Sequence, residues 1–207
     1  MPAPAPKLRK WLTGISIVAA LVGAGLIAYP FITDLWASRI QSGLSGELAQ
    51  SAGKYEARKI KNGEALTRLE IPRLGVDVIV VQGVSLEALR AGAGHYPDTP
   101  LPGERGNVGI AGHRTTYGRP FNRIDELDPS DKVILTTPIA RHVYEIAGEP
   151  WVVPNVDWSV IDDYPNKGSW LTLTSCHPEG SDDYRIVARA QLVRSSDLVA
   201  QSGGGTE

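Results

Sequence analysis

The chain has 207 residues, 42% of them hydrophobic and 21% charged, the proportions of a folded protein and not of a disordered one. That length admits one domain of ordinary size plus an appendage. The formal net charge is −2, and without Lys7, Arg9 and Lys10 the remainder carries 18 basic against 23 acidic residues, which excludes the basic stripe that nucleic acid requires.

The first predicted element runs from Trp11 to Thr33, a stretch without any charge and rich in Leu, Ile, Val, Ala and Gly. As a helix it would measure about 34 Å, enough for a hydrocarbon core of ~30 Å. Basic residues precede it and Asp34 follows it, so residues 1–10 are expected in the cytoplasm and everything after Thr33 outside, making a single-pass plasma-membrane protein. Trp11 and Tyr29 suit the two membrane interfaces. The apolar run is too long for a usual signal-peptide core and Tyr29-Pro30 is a poor cleavage site, which favours an uncleaved anchor. Residues 34–63 are small and polar, and Gly43, Gly46, Gly53 and Gly63 interrupt them; the pattern predicts a stalk of loose helical pieces.

From residue 64 the pattern turns to short strands. Ala65–Ile71 and Val76–Val81 flank a tight turn at Pro72-Arg73-Leu74-Gly75. Helical turns are predicted at Ser85–Arg90 and at Pro120–Leu127, and a proline-rich loop at Gly94–Gly103. Further strands are predicted at Asn107–Ala111, Lys132–Thr137, Arg141–Ala147, Trp151–Val153 and Trp170–Cys176, with a loop through Pro154, Trp158 and Pro165 before the last of these. Tyr184–Val193 alternates well, with Ile186, Ala188, Ala190 and Leu192 on one face and Arg185, Val187, Arg189 and Gln191 on the other. About eight short strands with few helices imply a mainly all-β domain, a closed or nearly closed barrel over residues 64–195. The tail 196–207, rich in Ser and Gly, is expected to be disordered.

Cys176 is the only cysteine and ends a strand at Cys176-His177-Pro178. Outside the cell it has no internal disulfide partner, so it is either incidental or a nucleophile. A nucleophilic thiolate needs a cation or general base nearby. Of the four histidines, His177 is adjacent to the sulfur and so faces the other way on an extended strand, His142 reads as a solvated strand position, and His95 as a loop residue on a cleft rim. His113 ends an apolar strand, as Cys176 does. An oxyanion would also need a donor; Arg185, nine residues after Cys176 with Gly180 to turn on, returns beside the sulfur in a hairpin, and Arg114 is a second contender. One cysteine and scattered histidines offer no metal-ligand spacing, and no cofactor motif is present. Glu104, Asp125, Glu126 and Asp128 are acidic without calcium-loop spacing, which leaves calcium dependence open.

The run Thr172-Leu173-Thr174-Ser175-Cys176, the upstream Gly112-His113 and Arg185 in the following strand resemble the sortases, membrane-anchored cysteine transpeptidases of Gram-positive bacteria. His113-Arg-Thr-Thr-Tyr-Gly-Arg-Pro-Phe121 and Cys176-His177-Pro178 look most like class E, the housekeeping type. Ser175 stands where the family usually has threonine. The resemblance covers roughly residues 64–194 and the anchor topology. It implies a closed eight-stranded barrel, a catalytic set of His113, Cys176 and Arg185, and no cofactor. It also implies secreted proteins with a C-terminal Leu-Ala-x-Thr-Gly or Leu-Pro-x-Thr-Gly sorting signal as substrates, a peptidoglycan-precursor amine as acceptor, and Tyr117, Thr174, Ser175 and His177 as candidate peptide-binding residues. Residues 34–66 hold no Asp-Pro-aromatic lid tripeptide, so housekeeping anchoring is expected over pilin polymerisation. Two other classes stay open: another cell-wall cysteine peptidase or L,D-transpeptidase, and a non-catalytic anchored barrel.

Overall fold

A computed structural model describes residues 6–162 and 168–198. Pro165, the first five residues and the tail from residue 199 lie outside the described residues. Nine strands form one sheet: β1 (Ala65–Ile71), β2 (Val76–Gln82), β3 (Ala93–His95), β4 (Gly106–Gly112), β5 (Lys132–Thr136), β6 (Ala140–Ile146), β7 (Trp151–Pro154), β8 (Ser169–His177) and β9 (Tyr184–Asp197). Eight of them close a ring in the order β6-β5-β1-β2-β3-β4-β8-β9, sealed by pairing of β9 with β6. β7 lies outside that ring, on the first half of β9. Most pairs are antiparallel; β2 with β3 and β4 with β8 run parallel.

The alternation seen in the sequence sets the two faces. Ile186, Ala188 and Ala190 of β9, Leu171 and Leu173 of β8, and Val108 and Ile110 of β4 enter the barrel core with Leu69, Phe121, Leu135 and Tyr144. The register places partners side by side, so their neighbours in sequence share the outer face: Asn107, Gly109 and Ala111 on β4, Thr172, Thr174 and Cys176 on β8, Arg185, Val187 and Arg189 on β9.

Two expectations change. The helix that begins in the apolar stretch does not end there: α1 runs unbroken from Pro6 to Ala49, through Pro30, Gly43 and Gly46. It passes the length and hydropathy test for a membrane span. Each interior glycine costs a helix about 1 kcal/mol, but Leu44 and Leu48 pack on Ala65, Ile79, Val81, Ala88 and Ala91 of the barrel and offset that cost. Gln41 adds a three-point polar contact: Nε2 donates to the Ile79 and Ala91 carbonyls at 2.8 and 2.7 Å, and Oε1 accepts from the Ile79 N–H at 2.6 Å. In place of loose pieces, residues 34–49 are a rigid helix laid against the barrel, followed by the single short helix α2 (Ala52–Glu56). The second change is β3, a strand inside the expected proline-rich loop, which pairs in register with β2 and β4. The predicted helical turns shrink to 3₁₀ turns at Ala88–Ala91 and Ile124–Glu126.

Candidate active site

Cys176 and Arg185 are cross-strand partners in the β8–β9 pair, so their side chains leave the same face of the sheet. On the other side of β8, the parallel register matches Ala111 with Thr174. His113 and Cys176 each lie two residues beyond that pair, His113 just past the end of β4. The 63 positions between His113 and Cys176 therefore vanish across one parallel strand pair. The Ser175 Oγ, on the inner face, donates to the Gly112 carbonyl at 2.8 Å and ties the two strand ends together.

The thiol is partly exposed. The Arg185 Nη1 donates to the carbonyls of Asp182 at 2.9 Å and Tyr184 at 3.0 Å. Those bonds fix the guanidinium while using one nitrogen of a group with five N–H donors. His113 is held on three sides. Its backbone N–H donates to the Gly92 carbonyl at 3.0 Å, and the Leu89 carbonyl lies where it favours the protonated imidazole. Its ring also lies 5.0 Å from that of Tyr117, tilted by 33°. Burial pushes the imidazole below its ordinary pKa, with the Leu89 carbonyl opposing, so the resting ring favours the neutral form.

The loop under His113 is in an unusual conformation. Tyr117, Gly118 and Arg119 have φ of 52°, 80° and 47°, three successive left-handed residues, which costs roughly 1–2 kcal/mol at each non-glycine position. Contacts to α1 hold it there. The Gly118 N–H donates to Asp34 Oδ1 at 2.8 Å, Arg119 Nη2 pairs with Asp34 Oδ2 at 3.0 Å, and the Tyr117 N–H reaches Thr33 Oγ1 at 3.4 Å.

The sequence reading missed Tyr96. Its ring covers Gly109, where an added Cβ would lie 2.8 Å from Tyr96 Cδ2. Its hydroxyl meets Thr174 Oγ1 at 3.0 Å, and burial pushes the phenol above its ordinary pKa, with the Thr174 bond opposing. Trp158 packs edge-on against it, ring centroids 6.3 Å apart. A glycine inside an otherwise apolar strand was the available signal, since it marks the close approach of another group.

Of the candidate peptide-binding residues, Thr174 and Tyr117 are on the thiol side; Thr174 is buried and Tyr117 half-exposed. Ser175 and His177 belong to the opposite face, by strand alternation. Arg114 is also on that face. It is buried, with Nη2 donating to Asp125 Oδ1 at 2.9 Å and Nε 3.7 Å from Glu179. His95 is no rim residue: it is fully buried, its ring nitrogens on Gln82 Oε1 and the Pro100 carbonyl, both at 2.9 Å. Nor is His142 solvated; it is buried, with Nδ1 2.9 Å from Ser195 Oγ. The acids weighed for calcium each face an arginine: Glu104 with Arg58, Asp125 with Arg114, Glu126 with Arg123 and Asp128 with Arg73.

A family model described as the sortase domain matches residues 69–193. Sortase SrtE1 of Streptomyces coelicolor is 30% identical over 207 residues, covering 87% of this chain and 59% of that protein. Sortase D of Bacillus subtilis is 34% identical over 120 residues, 58% of each chain. This chain thus spans rather less than two thirds of the length of those relatives. Among solved structures, sortase E from Streptomyces avermitilis aligns with a TM-score of 0.62 at 35% identity, over 71% of this chain and 97% of that one. A Clostridium perfringens sortase D5 transpeptidase aligns with a TM-score of 0.67 at 28% identity, over 75% and 99%.

Proposed function

Because this chain belongs to the sortase family, with class E members among its relatives, we propose that it is a membrane-anchored cysteine transpeptidase with Cys176 as nucleophile, His113 as acid and base, and Arg185 as the oxyanion or peptide donor. The observation that supports this reading is that Cys176 and Arg185 are partners across β8 and β9 while His113 follows the end of β4, the strand on the other side of β8.

The Cys176 sulfur attacks the carbonyl carbon of the threonine in a Leu-Ala-x-Thr-Gly or Leu-Pro-x-Thr-Gly signal, and its proton passes to His113. A buried imidazole gives that proton up readily, here to the departing glycine amine as the C–N bond breaks. A thioester remains. The amine of a peptidoglycan precursor then attacks it, His113 takes that amine's proton, and collapse forms the new amide and expels the sulfur, which regains its proton from His113. Arg185 faces the carbonyl oxygen while it bears negative charge, where a fixed guanidinium is most effective. Tyr96, Trp158 and Tyr117 offer apolar walls to the peptide on either side of the thiol.

In this reading residues 1–10 lie in the cytoplasm, 11–33 cross the membrane, and 64–195 form the catalytic domain outside. Residues 34–63 connect the two. Substrate, precursor and enzyme then share one membrane face.

The test is a transfer assay with full-length protein in micelles, offering both peptides and an amine, with mass spectrometry for the acyl-enzyme. Cys176→Ala should give no thioester and no transfer, and His113→Ala at least a 100-fold loss. Full activity in either variant refutes the assignment. An adduct on stem peptide in place of the sorting peptide would favour an L,D-transpeptidase.

A further inference from the structure

The contacts of α1 reach the catalytic histidine from two directions. The ring of His113 rests on that of Tyr117, and its backbone N–H bonds the carbonyl of Gly92, the residue that caps the 3₁₀ turn containing Leu89. Both supports are seated on the same helix. Tyr117 belongs to the left-handed loop that Thr33 and Asp34 hold through the Tyr117 and Gly118 N–H groups and the Arg119 ion pair. Leu89 belongs to the 3₁₀ turn Ala88–Ala91, whose Ala91 carbonyl accepts from Gln41 and whose Arg90 lies 5.4 Å over the Trp36 ring. Thr33 and Ala37 are buried in this contact at 3% and 2% exposure, although Thr33 is the last residue of the candidate membrane span and Ala37 lies one turn beyond it. Ala37 Cβ comes close to Gly118, where a side chain would touch it at 3.9 Å.

We infer that the membrane anchor is part of the catalytic apparatus: residues Thr33 to Gln41 are a brace that positions the His113 imidazole, with Asp34 as its principal positioning residue. Asp34 touches no reacting atom. It acts by holding Tyr117–Arg119 in a conformation those residues rarely adopt alone, so that the ring beneath the imidazole stays in place. The barrel proper, β1 to β9, closes through its own strand pairs and apolar core. Releasing the brace therefore loosens one ring and leaves the fold standing.

The rate readout rests on the transpeptidase reading; the spectroscopic readout does not. Full-length protein in micelles carries Asp34→Ala or Asp34→Asn, and rates are normalised to titrated Cys176 thiol. Asp34→Ala should slow acyl-enzyme formation from a Leu-Ala-x-Thr-Gly peptide by about 10- to 100-fold in kcat with KM unchanged, the scale of a small misplacement of a reacting group. Asp34→Asn keeps an oxygen for the Gly118 N–H and should restore most of that loss. Equal kcat in wild type and Asp34→Ala overturns the brace. If wild-type protein forms no acyl-enzyme, the transpeptidase reading fails and the brace is judged by NMR of the imidazoles. His113 ring signals should shift or broaden in Asp34→Ala while those of buried His95 stay put; unmoved His113 signals overturn it.

Discussion

Tyr96 is the residue on which the outer face of β4 and β8 depends. Its hydroxyl shares a hydrogen bond with Thr174, which is 2% exposed, and its ring fills the space that Gly109 leaves open. Tyr96→Phe keeps the ring and strands a buried hydroxyl at Thr174, so it should cost about 1 kcal/mol in urea denaturation, with the second variant Thr174→Val recovering part of it. An unchanged midpoint in Tyr96→Phe would mean that the bond adds nothing. Much of the site was legible at this scale: Cys176 at a strand end before a proline, His113 at another, Arg185 nine residues on. What the sequence hid was burial. His95 and His142 carry the same functional groups as His113, and only the packed structure shows them enclosed behind Gln82, Pro100 and Ser195.

The strands were readable because each buries one face, and alternation reports that directly, as in Ile186, Ala188 and Ala190 of β9. β3 was not, since three residues amid prolines carry no period; it exists because β2 and β4 supply partners on both edges. The continuity of α1 past Asp34 was hidden for a similar reason. Gly43 and Gly46 read as breaks, whereas the bonds of Gln41 and the packing of Leu44 and Leu48 are long-range effects. Leu44→Asp, which would place a charge in that apolar contact, should lift this segment off the sheet. Limited proteolysis between Ala49 and Ala52 should then accelerate at least several-fold while the thermal transition of the barrel persists. An unaltered cleavage rate would show that Leu44 is not what docks the helix.

Across the whole molecule, burial holds the imidazoles of His95, His113 and His142 below their ordinary value; Pro100 and Glu104 oppose at His95, the Leu89 carbonyl at His113 and Asp197 at His142. The unfolded chain accordingly binds more protons than the folded one once pH falls below the ordinary imidazole value of about 6.5, so stability rises with pH through that window. Their contribution is present above it and is lost as pH descends toward the folded-state values. Glu64, Asp77 and Glu126, lowered mainly by hydrogen bonds from the Lys61 backbone, Arg68 and Arg123 respectively, add loss of the same sign at more acidic pH. The thermal midpoint should therefore drop steadily from pH 7 to pH 5, and less so in His95→Gln if that variant folds. A midpoint independent of pH across this range would contradict the lowered imidazole values at these three rings.

The closing strand is also the last among the described residues. β9 pairs with β8, β7 and β6 at once and brings Arg185 to the sulfur. Synthesis proceeds from the N-terminus, so the segment that carries Cys176 is made before the one that carries Arg185. A product that stops before residue 184 therefore lacks both Arg185 and the strand that closes the ring.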